Sequence, residues 1–439
     1  MDRRSFMKTS LGAAAVGAAA LSSPSPARQA GPTRAGTPPA RTNEVIQRAR
    51  QAALEVLKPT PKQLEHGLEL HKASLVFESY GFSPRAAIDA EAYAKAIEAG
   101  AGADELEDLR NEMSATRCVT DPAERIEYVE AWEASGVTCI FQNAGGGQDP
   151  ARVMRRLAQF TYVTDMFRDF VVRAATPDDI VAAKRQNKHC LYFSSNSVPL
   201  AERWESAQGE LAFVRPLFQL GMRMMHMTYN RRNMLGDGCA EPANAGLSDF
   251  GRAAVAEMNR VGVIPDVAHS GWQTSLETAK VSTRPMVASH TACVGVHRHI
   301  RGKPDEVIKA IADTGGYIGI CAIGGFLGGK GDIQAMLDHI DYAVRRFGAD
   351  RVAIGTDIAY SSRNSVAENK KIPKGPRGRP RWESLWPPGS LGGQDHASLA
   401  WTNWPMFTVG MVQRGYSDAV IQKILGGNVL RVARATLAK

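Results

Sequence analysis

Eight short apolar segments alternate with longer segments of helical periodicity along this chain of 439 residues. Parallel strands need a crossover connection, and a helix between successive strands supplies it. Eight such units predict an α/β fold, a (β/α)8 barrel of the TIM type, which reaches this length when it carries insertions. The predicted strands cover residues 74–82, 137–145, 189–196, 222–230, 263–270, 285–291, 316–324 and 351–359.

Several segments between the predicted strands carry helix signals. One helix is expected to begin after Ser248, an N-cap candidate, and to end at Gly262, with apolar residues at helical spacing between them. Residues 304–316 and 332–348 show the same periodicity. The first two crossovers are longer, and we expect extra N-terminal helices within residues 85–135.

Three side chains that can bind a metal ion stand at matching strand ends. His269 ends the fifth predicted strand, His290 ends the sixth, and Asp357 ends the eighth. The carboxyl ends of barrel strands open into one mouth, where functional residues gather. Either histidine alone is more often a hydrogen-bonded core residue. Two histidines and an aspartate at matching strand ends favour one shared site, with ligands suited to a divalent metal ion.

The N-terminus has the features of a twin-arginine secretory leader. Paired arginines at residues 3–4 precede an apolar run that is too short to span a bilayer. Residues 25–27 have the small-x-small pattern of a cleavage site. We therefore expect a signal peptide over residues 1–27, a disordered linker over 28–43 and a single (β/α)8 domain over 44–439. The mature protein is expected in the periplasm or outside the cell.

The formal net charge of +8 does not indicate a nucleic-acid partner. Part of the charge lies in the leader, and the basic cluster at residues 370–381 lacks interleaved aromatic residues. Residues 370–393 are expected to form a long loop after the eighth strand, which either covers the mouth or is a solvated insertion. The cysteines fit buried free thiols better than a disulfide framework, since four lie in or beside apolar segments: Cys139, Cys190, Cys293 and Cys321.

Five segments carry a family resemblance: GLSDFGRAAVAEMNRVGVIPDVAHS (246–270), RPMVASHT (284–291), IRGKPDEVIKAIADTGGYIGI (300–320), VAIGTDI (352–358) and RGYSDAVIQKILGGNVLRV (414–432). Together they resemble the membrane (renal) dipeptidase family of zinc metallopeptidases, peptidase family M19, in the amidohydrolase superfamily. The resemblance implies a (β/α)8 barrel with two zinc ions that share a bridging carboxylate. It also implies dipeptides and related amides as substrates.

The resemblance assigns roles to four residues of this chain. His269 and His290 lie where the family places two ligands of one zinc ion. Asp357 matches the aspartate that coordinates the other metal ion and handles the proton. Arg301 matches the arginine that holds the substrate carboxylate, which suits a bidentate guanidinium. On spacing alone, a solvated loop arginine explains Arg301 equally well.

Other positions depart from the family's pattern. Tyr80 and Phe82 replace the His-x-Asp pair of the first strand, and Ser195 or Asn196 replaces the bridging glutamate of the third. Tyr229 stands where the family has a substrate-contacting histidine on the fourth strand. None of these side chains supplies the negative charge that holds two cations together. A standard two-metal centre is therefore not expected.

We expect instead one divalent ion, either zinc or alternatively manganese or iron. The alternative is that no metal ion binds and that the site is a polar pocket for acid–base chemistry of another kind, formed by Tyr80, Tyr229, His269, His290 and Asp357. Glu78, two residues before Tyr80 and thus on the same face of an ideal strand, could replace the lost charge as a ligand or base. The expected residues are His269, His290 and Asp357 as metal ligands, Asp357 and Tyr229 in catalysis, and Arg301, Tyr80 and Asn196 in substrate binding.

The favoured hypothesis is an exported metal-dependent hydrolase that acts on a small peptide or amide bearing a carboxylate. One alternative is another enzyme on the same barrel, such as a lyase, an isomerase or a peptide-tailoring enzyme. Another is a periplasmic binding protein with a degenerate site. In each case the expected partner is a small molecule or short peptide, with no nucleic acid, no stable membrane insertion and a homodimer as one candidate assembly.

Overall fold

The computed structural model of the protein describes residues 43–373 and 396–437. Its strands are β1 (Phe77–Gly81), β2 (Cys139–Asn143), β3 (Val171–Arg173), β4 (His189–Ser195), β5 (Met222–His226), β6 (Ile264–Asp266), β7 (Val287–Thr291), β8 (Tyr317–Ile320) and β9 (Val352–Ile354). Eight of them lie side by side in the order β1-β2-β4-β5-β6-β7-β8-β9, and all of these pairs are parallel. The predicted TIM-type barrel is therefore confirmed. Only β3, which pairs with β4 beside the barrel, was missed.

Helices surround the strands and precede the first of them. They are α1 (Glu44–Leu57), α2 (Pro61–Ala73), α3 (Ala90–Glu98), α4 (Ala103–Thr120), α5 (Pro122–Ser135), α6 (Pro150–Met166), α7 (Pro177–Arg185), α8 (Ala207–Glu210), α9 (Val214–Gln219), α10 (Asp249–Val261), α11 (Trp272–Val281), α12 (Asp305–Asp313), α13 (Gly324–Leu327), α14 (Ile333–Phe347), α15 (Ser365–Lys371), α16 (Trp404–Gln413), α17 (Asp418–Gln422) and α18 (Asn428–Thr436).

The helix signals of the sequence act as expected. The Ser248 hydroxyl accepts from the backbone N–H of Gly251 and caps α10, and Gly262 ends that helix at a φ of 101°. Helices α3, α4 and α5 lie within the long first crossover, where extra helices were predicted. The barrel nearly closes between β1 and β9, where the backbone N–H of Asp357 donates to the carbonyl of Tyr80 at 3.2 Å.

The barrel interior is filled with large side chains at its amino-terminal end. The rings of Phe77 and Phe141 stack at 5.2 Å, and Tyr192 packs against both. Val429 and Val432 of α18 belong to the same buried cluster and cover this end. The polar residues of the barrel therefore have room only at the opposite, carboxyl-terminal end, as in other barrels of this type.

An irregularity in β1 overturns one expectation. The register between β1 and β2 shifts between Glu78 and Gly81, so Glu78 and Tyr80 do not share a face as they would in an ideal strand. Glu78 accepts from Trp401 Nε1 at 2.8 Å and from the backbone N–H and hydroxyl of Thr356. Its carboxyl group is thus bonded to Trp401 and Thr356, and its role as a ligand or base stays a prediction.

Several expectations fall on residues outside the described ranges. These are the signal peptide over 1–27, nearly all of the linker over 28–43 and most of the loop over 370–393. All six cysteines are described and are free thiols, and the four in or beside strands are buried as expected. Among the described residues, no helix combines the length and apolarity needed to cross a membrane.

Candidate active site

The two strand-end histidines meet at the mouth of the barrel. His290 lies in β7 and His269 lies just after β6, and both are buried. Their Nε2 atoms face each other at 2.9 Å. The Asp357 Oδ2 atom lies 3.9 Å from His290 Nε2. The three side chains that the sequence predicted to share a site therefore converge, and their role as metal ligands stays a prediction.

The hydrogen bonds of the two rings fix their tautomers. His269 Nδ1 lies 2.6 Å from the amide oxygen of Asn230, which can only accept, so Nδ1 carries the proton. His290 Nδ1 lies 2.9 Å from the hydroxyl of Ser289, whose own proton is donated to Asp266. Each histidine therefore presents a bare Nε2 lone pair. Two lone pairs at 2.9 Å repel each other unless a cation lies between or beside them.

Burial keeps both rings neutral, which is the form that binds metals. Burial is the largest cause that lowers the pKa of His269 and of His290 well below the usual value, and the positive charge of Arg301 adds to it. Neutral rings whose Nδ1–H groups are fixed by oxygen acceptors are the usual arrangement of metal-binding histidines. The donor set thus fits a divalent metal ion.

A second, overlapping ligand group was not found from the sequence. His226, Asp266 and His290 each place one donor atom within 4.8 Å of the others, and all three are buried. His226 Nε2 lies 2.7 Å from Asp266 Oδ2, and His226 Nδ1 has no hydrogen-bond partner within the described chain. A buried ring nitrogen without a partner also fits a metal ion. A histidine and an aspartate inside otherwise apolar strands were the available signal.

Asp266 also orients the histidines. Its Oδ1 atom accepts from the backbone N–H groups of Ala268 and Ser289 at 2.9 and 3.0 Å. Burial opposes the ionisation of Asp266, but the imidazole of His226 and the hydrogen bonds from Ser289 outweigh it and hold the pKa of this carboxyl group below its usual value. An ionised Asp266 therefore accepts the Ser289 proton, which leaves the Ser289 oxygen to accept from His290.

Two glycines make room for this arrangement. A Cβ atom on Gly319 or Gly355 would lie 1.9 or 2.1 Å from the carbonyl oxygen of Ser289. Any larger residue would push the backbone of β7 away from its neighbours.

Lys303 fixes the chain after His269, because its buried Nζ donates to the carbonyl of Ser270 at 2.6 Å. Burial lowers the pKa of Lys303 to about 7.

Asp357 and Tyr229, the predicted catalytic residues, flank the histidines. Asp357 has a φ of 61°, a left-handed conformation that is strained for a residue with a side chain and is typical of functional sites. The ring of Tyr229 stacks on His269 at a centroid distance of 4.2 Å, and 42% of this residue is exposed. Both therefore lie between the buried rings and solvent, where a substrate would enter.

Tyr80 and Asn196 contact each other beside the histidines. The Tyr80 hydroxyl donates to Asn196 Oδ1 at 2.5 Å, and its ring stacks on His290 at 4.1 Å. Burial and then the charge of Asp357 raise the pKa of Tyr80 well above its usual value. A neutral phenol is a poor metal ligand. Both residues lie close enough to the centre to touch a substrate, and that role stays a prediction.

Arg301 is buried at the same centre and is not a solvated loop residue. Only 2% of it is exposed, its Nη2 atom lies 3.5 Å from the carbonyl oxygen of His290, and its guanidinium lies over the ring of Phe326 at 5.0 Å. Its Nε has no hydrogen-bond partner within the described chain. A buried guanidinium with an unused donor suits a substrate carboxylate.

Comparison with protein families gives one match. The family model described as membrane dipeptidase (peptidase family M19) matches residues 130–370, more than half of the chain. Dipeptidase tcpJ of Claviceps purpurea (strain 20.1) is 25% identical over 277 residues, which are 62% of this chain and 57% of that protein. Dipeptidase verJ of Clonostachys rogersoniana is 28% identical over 222 residues, 50% of each chain. This chain thus spans about half the length of these relatives.

Solved structures with a similar fold cover more of the chain. An amidohydrolase from Pseudomonas aeruginosa gives a TM-score of 0.63 at 25% identity, over 85% of this chain and 99% of that one. The probable dipeptidase PvdM from the same organism gives 0.62 at 18% identity, over 86% and 99%. The second of these supports the fold alone.

Proposed function

This chain belongs to the membrane dipeptidase family, peptidase family M19, and we propose that within this family it is an exported hydrolase that uses one divalent metal ion. Its proposed substrate is a small peptide or amide that bears a carboxylate. The ion, zinc first and otherwise manganese or iron, is bound by His269 and His290 through Nε2 with Asp357 as the third ligand.

One observation carries the proposal: the bare Nε2 atoms of His269 and His290 face each other at 2.9 Å. Each ring has its other nitrogen committed to an oxygen acceptor, Asn230 or Ser289. No proton is then left for a hydrogen bond between the rings, so a cation is the stabilising occupant.

The surroundings of Tyr80 support one ion over two. Tyr80 and Phe82 stand where the family has two ligands of the other ion, and their rings pack edge to face at 5.6 Å. The hydroxyl of Tyr80 is already bonded to Asn196, which with Ser195 is a candidate for the place of the bridging carboxylate. The aromatic rings of Tyr80 and Phe82 occupy the space of the second ion's ligands. The described residues supply no carboxylate there or at the place of the bridging carboxylate.

Three side chains of the protein have separate roles in the proposed hydrolysis. A divalent ion at this site supplies Lewis acidity that polarises a carbonyl and acidifies a water. Arg301 binds the substrate carboxylate and orients the scissile amide. Asp357 accepts the proton of the attacking water and returns it to the leaving amine. Tyr229, at the open side of the site, donates a hydrogen bond to the developing oxyanion.

The N-terminal leader supports the location that we propose. Its paired arginines at residues 3–4 and small-x-small sequence at 25–27 are typical of twin-arginine export, which carries proteins already folded. The substrate would then be met in the periplasm or outside the cell.

Metal analysis of the purified mature protein, combined with peptide hydrolysis, tests the proposal. We expect about one equivalent of metal per chain and activity that a chelator removes. His269→Ala and His290→Ala should both lose the ion, while His226→Ala should keep it. If only His226→Ala and His290→Ala lose it, then the ion is bound by the His226, Asp266 and His290 group instead. Two equivalents, or none with hydrolysis retained, would contradict the proposal.

A second candidate function has one observation in its favour. Asn196, one of the two candidates for the position of the bridging carboxylate, is bonded to a neutral Tyr80, which suits binding and acid–base chemistry of another kind. A metal-free protein that turns over a non-peptide substrate, as a lyase, an isomerase or a peptide-tailoring enzyme would, supports this alternative. A metal-free protein that only binds a ligand is instead a binding protein.

A further inference from the structure

A cavity of about 140 Å³ lies beside the mouth of the barrel, and three guanidinium groups line it. We name it the arginine pocket; the three residues are Arg85, Arg110 and Arg156. They come from the loop after β1, from α4 and from α6. The rest of its lining is neutral and includes Ser83, Ser114 and Asn111, so no acidic residue of the described chain lines it.

The carboxylates that act on the arginine pocket, Asp357 on Arg85 and Asp108 on Arg156, do so without a direct ion pair. Arg85 and Arg156 make ring contacts, over Phe82 at 4.7 Å and over Phe160 at 5.6 Å, but no ion pair or hydrogen bond of their side chains with the described residues is found. Burial is the main cause that lowers the pKa of Arg156 to about 10, and the like charge of Arg85 adds to it.

Asp108, whose charge acts on Arg156, is already paired with other arginines. It contacts Arg155 at 2.7 Å and lies 3.8 Å from Arg152, both on α6. Arg110 donates to the neutral amide of Asn369 at 3.1 Å. Arginines that are crowded together and lack carboxylate partners form a site for an anion, because the guanidinium geometry matches carboxylate and phosphate oxygens.

A short series of ring contacts connects this pocket to the catalytic centre. Arg85 lies over Phe82 at 4.7 Å, Phe82 packs against Tyr80 at 5.6 Å, and Tyr80 stacks on His290 at 4.1 Å. The pocket is therefore no farther from His290 than about four residues of extended peptide, at ~3.5 Å per residue. Backbone hydrogen bonds of Arg85 with Tyr360 and Ser362 fix it beside the loop that carries Asp357.

The pocket lies across the mouth from Arg301. Arg301 follows β7, the sixth strand around the barrel, whereas the pocket lies at the ends of β1 and β2, the first and second. A substrate whose terminal carboxylate is held by Arg301 would therefore extend its other, amino side toward the pocket.

We propose that the arginine pocket binds a second anionic group of the substrate, on the amino side of the scissile amide. This inference rests on the proposed hydrolase function and narrows its substrate class to peptides or amides with two separated anionic groups. Charge-assisted hydrogen bonds from two arginines would supply the selectivity.

Paired substrates that differ only in this charge test the proposal. The metal-loaded mature protein is assayed with Glu-Ala and Gln-Ala, and with Glu-Ala-Ala and Gln-Ala-Ala. In at least one of the two pairs, dipeptides or tripeptides, we expect kcat/KM to be at least about tenfold higher for the glutamate peptide than for the glutamine peptide. Arg85→Gln and Arg156→Gln should abolish this preference. Arg155→Gln, the neighbouring exposed arginine of the same helix, should preserve it.

Calorimetric titration with inorganic sulfate gives a readout that does not need turnover. Sulfate binding should weaken at least about tenfold in Arg85→Gln and Arg156→Gln, and should persist in Arg155→Gln and in Arg301→Lys. Hydrolysis without a preference for glutamate, together with sulfate binding that Arg85→Gln and Arg156→Gln leave unaltered, would contradict the proposed role of the arginine pocket. The hydrolase function would remain intact. If sulfate binding is lost only in Arg85→Gln and Arg156→Gln and no peptide is hydrolysed, then the arginine pocket is an anion site. The proposed hydrolase function would then be wrong.

Discussion

His290 and Asp266 lie on neighbouring strands and are coupled through a single hydroxyl group. The Ser289 hydroxyl donates to Asp266 and accepts from His290 Nδ1 at 2.9 Å. The carboxylate thereby fixes the proton of the imidazole on Nδ1 and keeps Nε2 bare. A charge buried at the base of the site thus determines which ring nitrogen faces the mouth.

Removal of this hydroxyl group should weaken metal binding without removing a ligand. In Ser289→Ala, His290 loses the acceptor that fixes its tautomer, so we expect the metal affinity to fall about 10–100-fold. Competition with a chelating dye measures this affinity. Ser79→Ala is the matched control, because Ser79 is a buried barrel serine whose hydroxyl bonds to Tyr317 at 3.0 Å. Equal affinities in the two variants would show that Ser289 does not orient His290.

The fold could be predicted because local signals agreed with the global pattern. Eight apolar segments, the N-cap at Ser248 and the stop at Gly262 each describe a local preference, and all of them are consistent with one barrel. The convergence of His269, His290 and Asp357 followed from the rule that strand ends share one mouth. No side-chain detail was needed for either inference.

The features that were missed depend on tertiary contacts. The shift in β1 between Glu78 and Gly81 turns Glu78 toward Trp401, and no pattern in the strand itself shows it. In the sequence His226 is a single histidine in an apolar run. Only its position opposite Asp266 in the paired strands indicates that it belongs to a candidate ligand group. Residues of the arginine pocket come from three elements far apart in sequence.

The Tyr80 hydroxyl should matter for the substrate and not for the metal ion. In Tyr80→Phe we expect an unchanged metal content, because a neutral phenol is not a ligand. Loss of the bond to Asn196 should lower the free energy of unfolding by about 1 kcal/mol and raise KM several-fold. Tyr317→Phe, which removes another buried barrel hydroxyl, should have a similar effect on stability and none on KM. A loss of metal in Tyr80→Phe would make the phenol a ligand.

Arg301 should distinguish substrates that carry a terminal carboxylate. Arg301→Lys keeps the charge but loses the planar pair of donors, so KM for a free dipeptide should rise about 10–100-fold with little change in kcat. The C-terminally amidated dipeptide should show almost no change between wild type and variant. Arg298→Lys, at an exposed position three residues earlier, is the control. Equal losses with both substrates would mean that Arg301 supports the fold and does not bind the carboxylate.

Glu78 should make the folded state less stable as the pH rises toward 8. Burial raises the pKa of Glu78 to about 8, so the folded protein keeps this proton in a range where the unfolded chain, with an ordinary pKa near ~4.3, has released it. The stabilisation is complete below the unfolded pKa and is lost between there and about pH 8. The free energy of unfolding should therefore fall by a few kcal/mol over this range.

The isosteric variant Glu78→Gln isolates this effect. It keeps the shape of the side chain and one acceptor oxygen, for either Trp401 or Thr356, but cannot ionise, so urea denaturation between pH 5 and 8 should show a flatter dependence than in wild type. The exposed Glu55→Gln should keep the wild-type dependence, since other titrating groups are common to all three proteins. If wild type and Glu78→Gln lose stability in parallel, then the Glu78 proton is not held by the folded state.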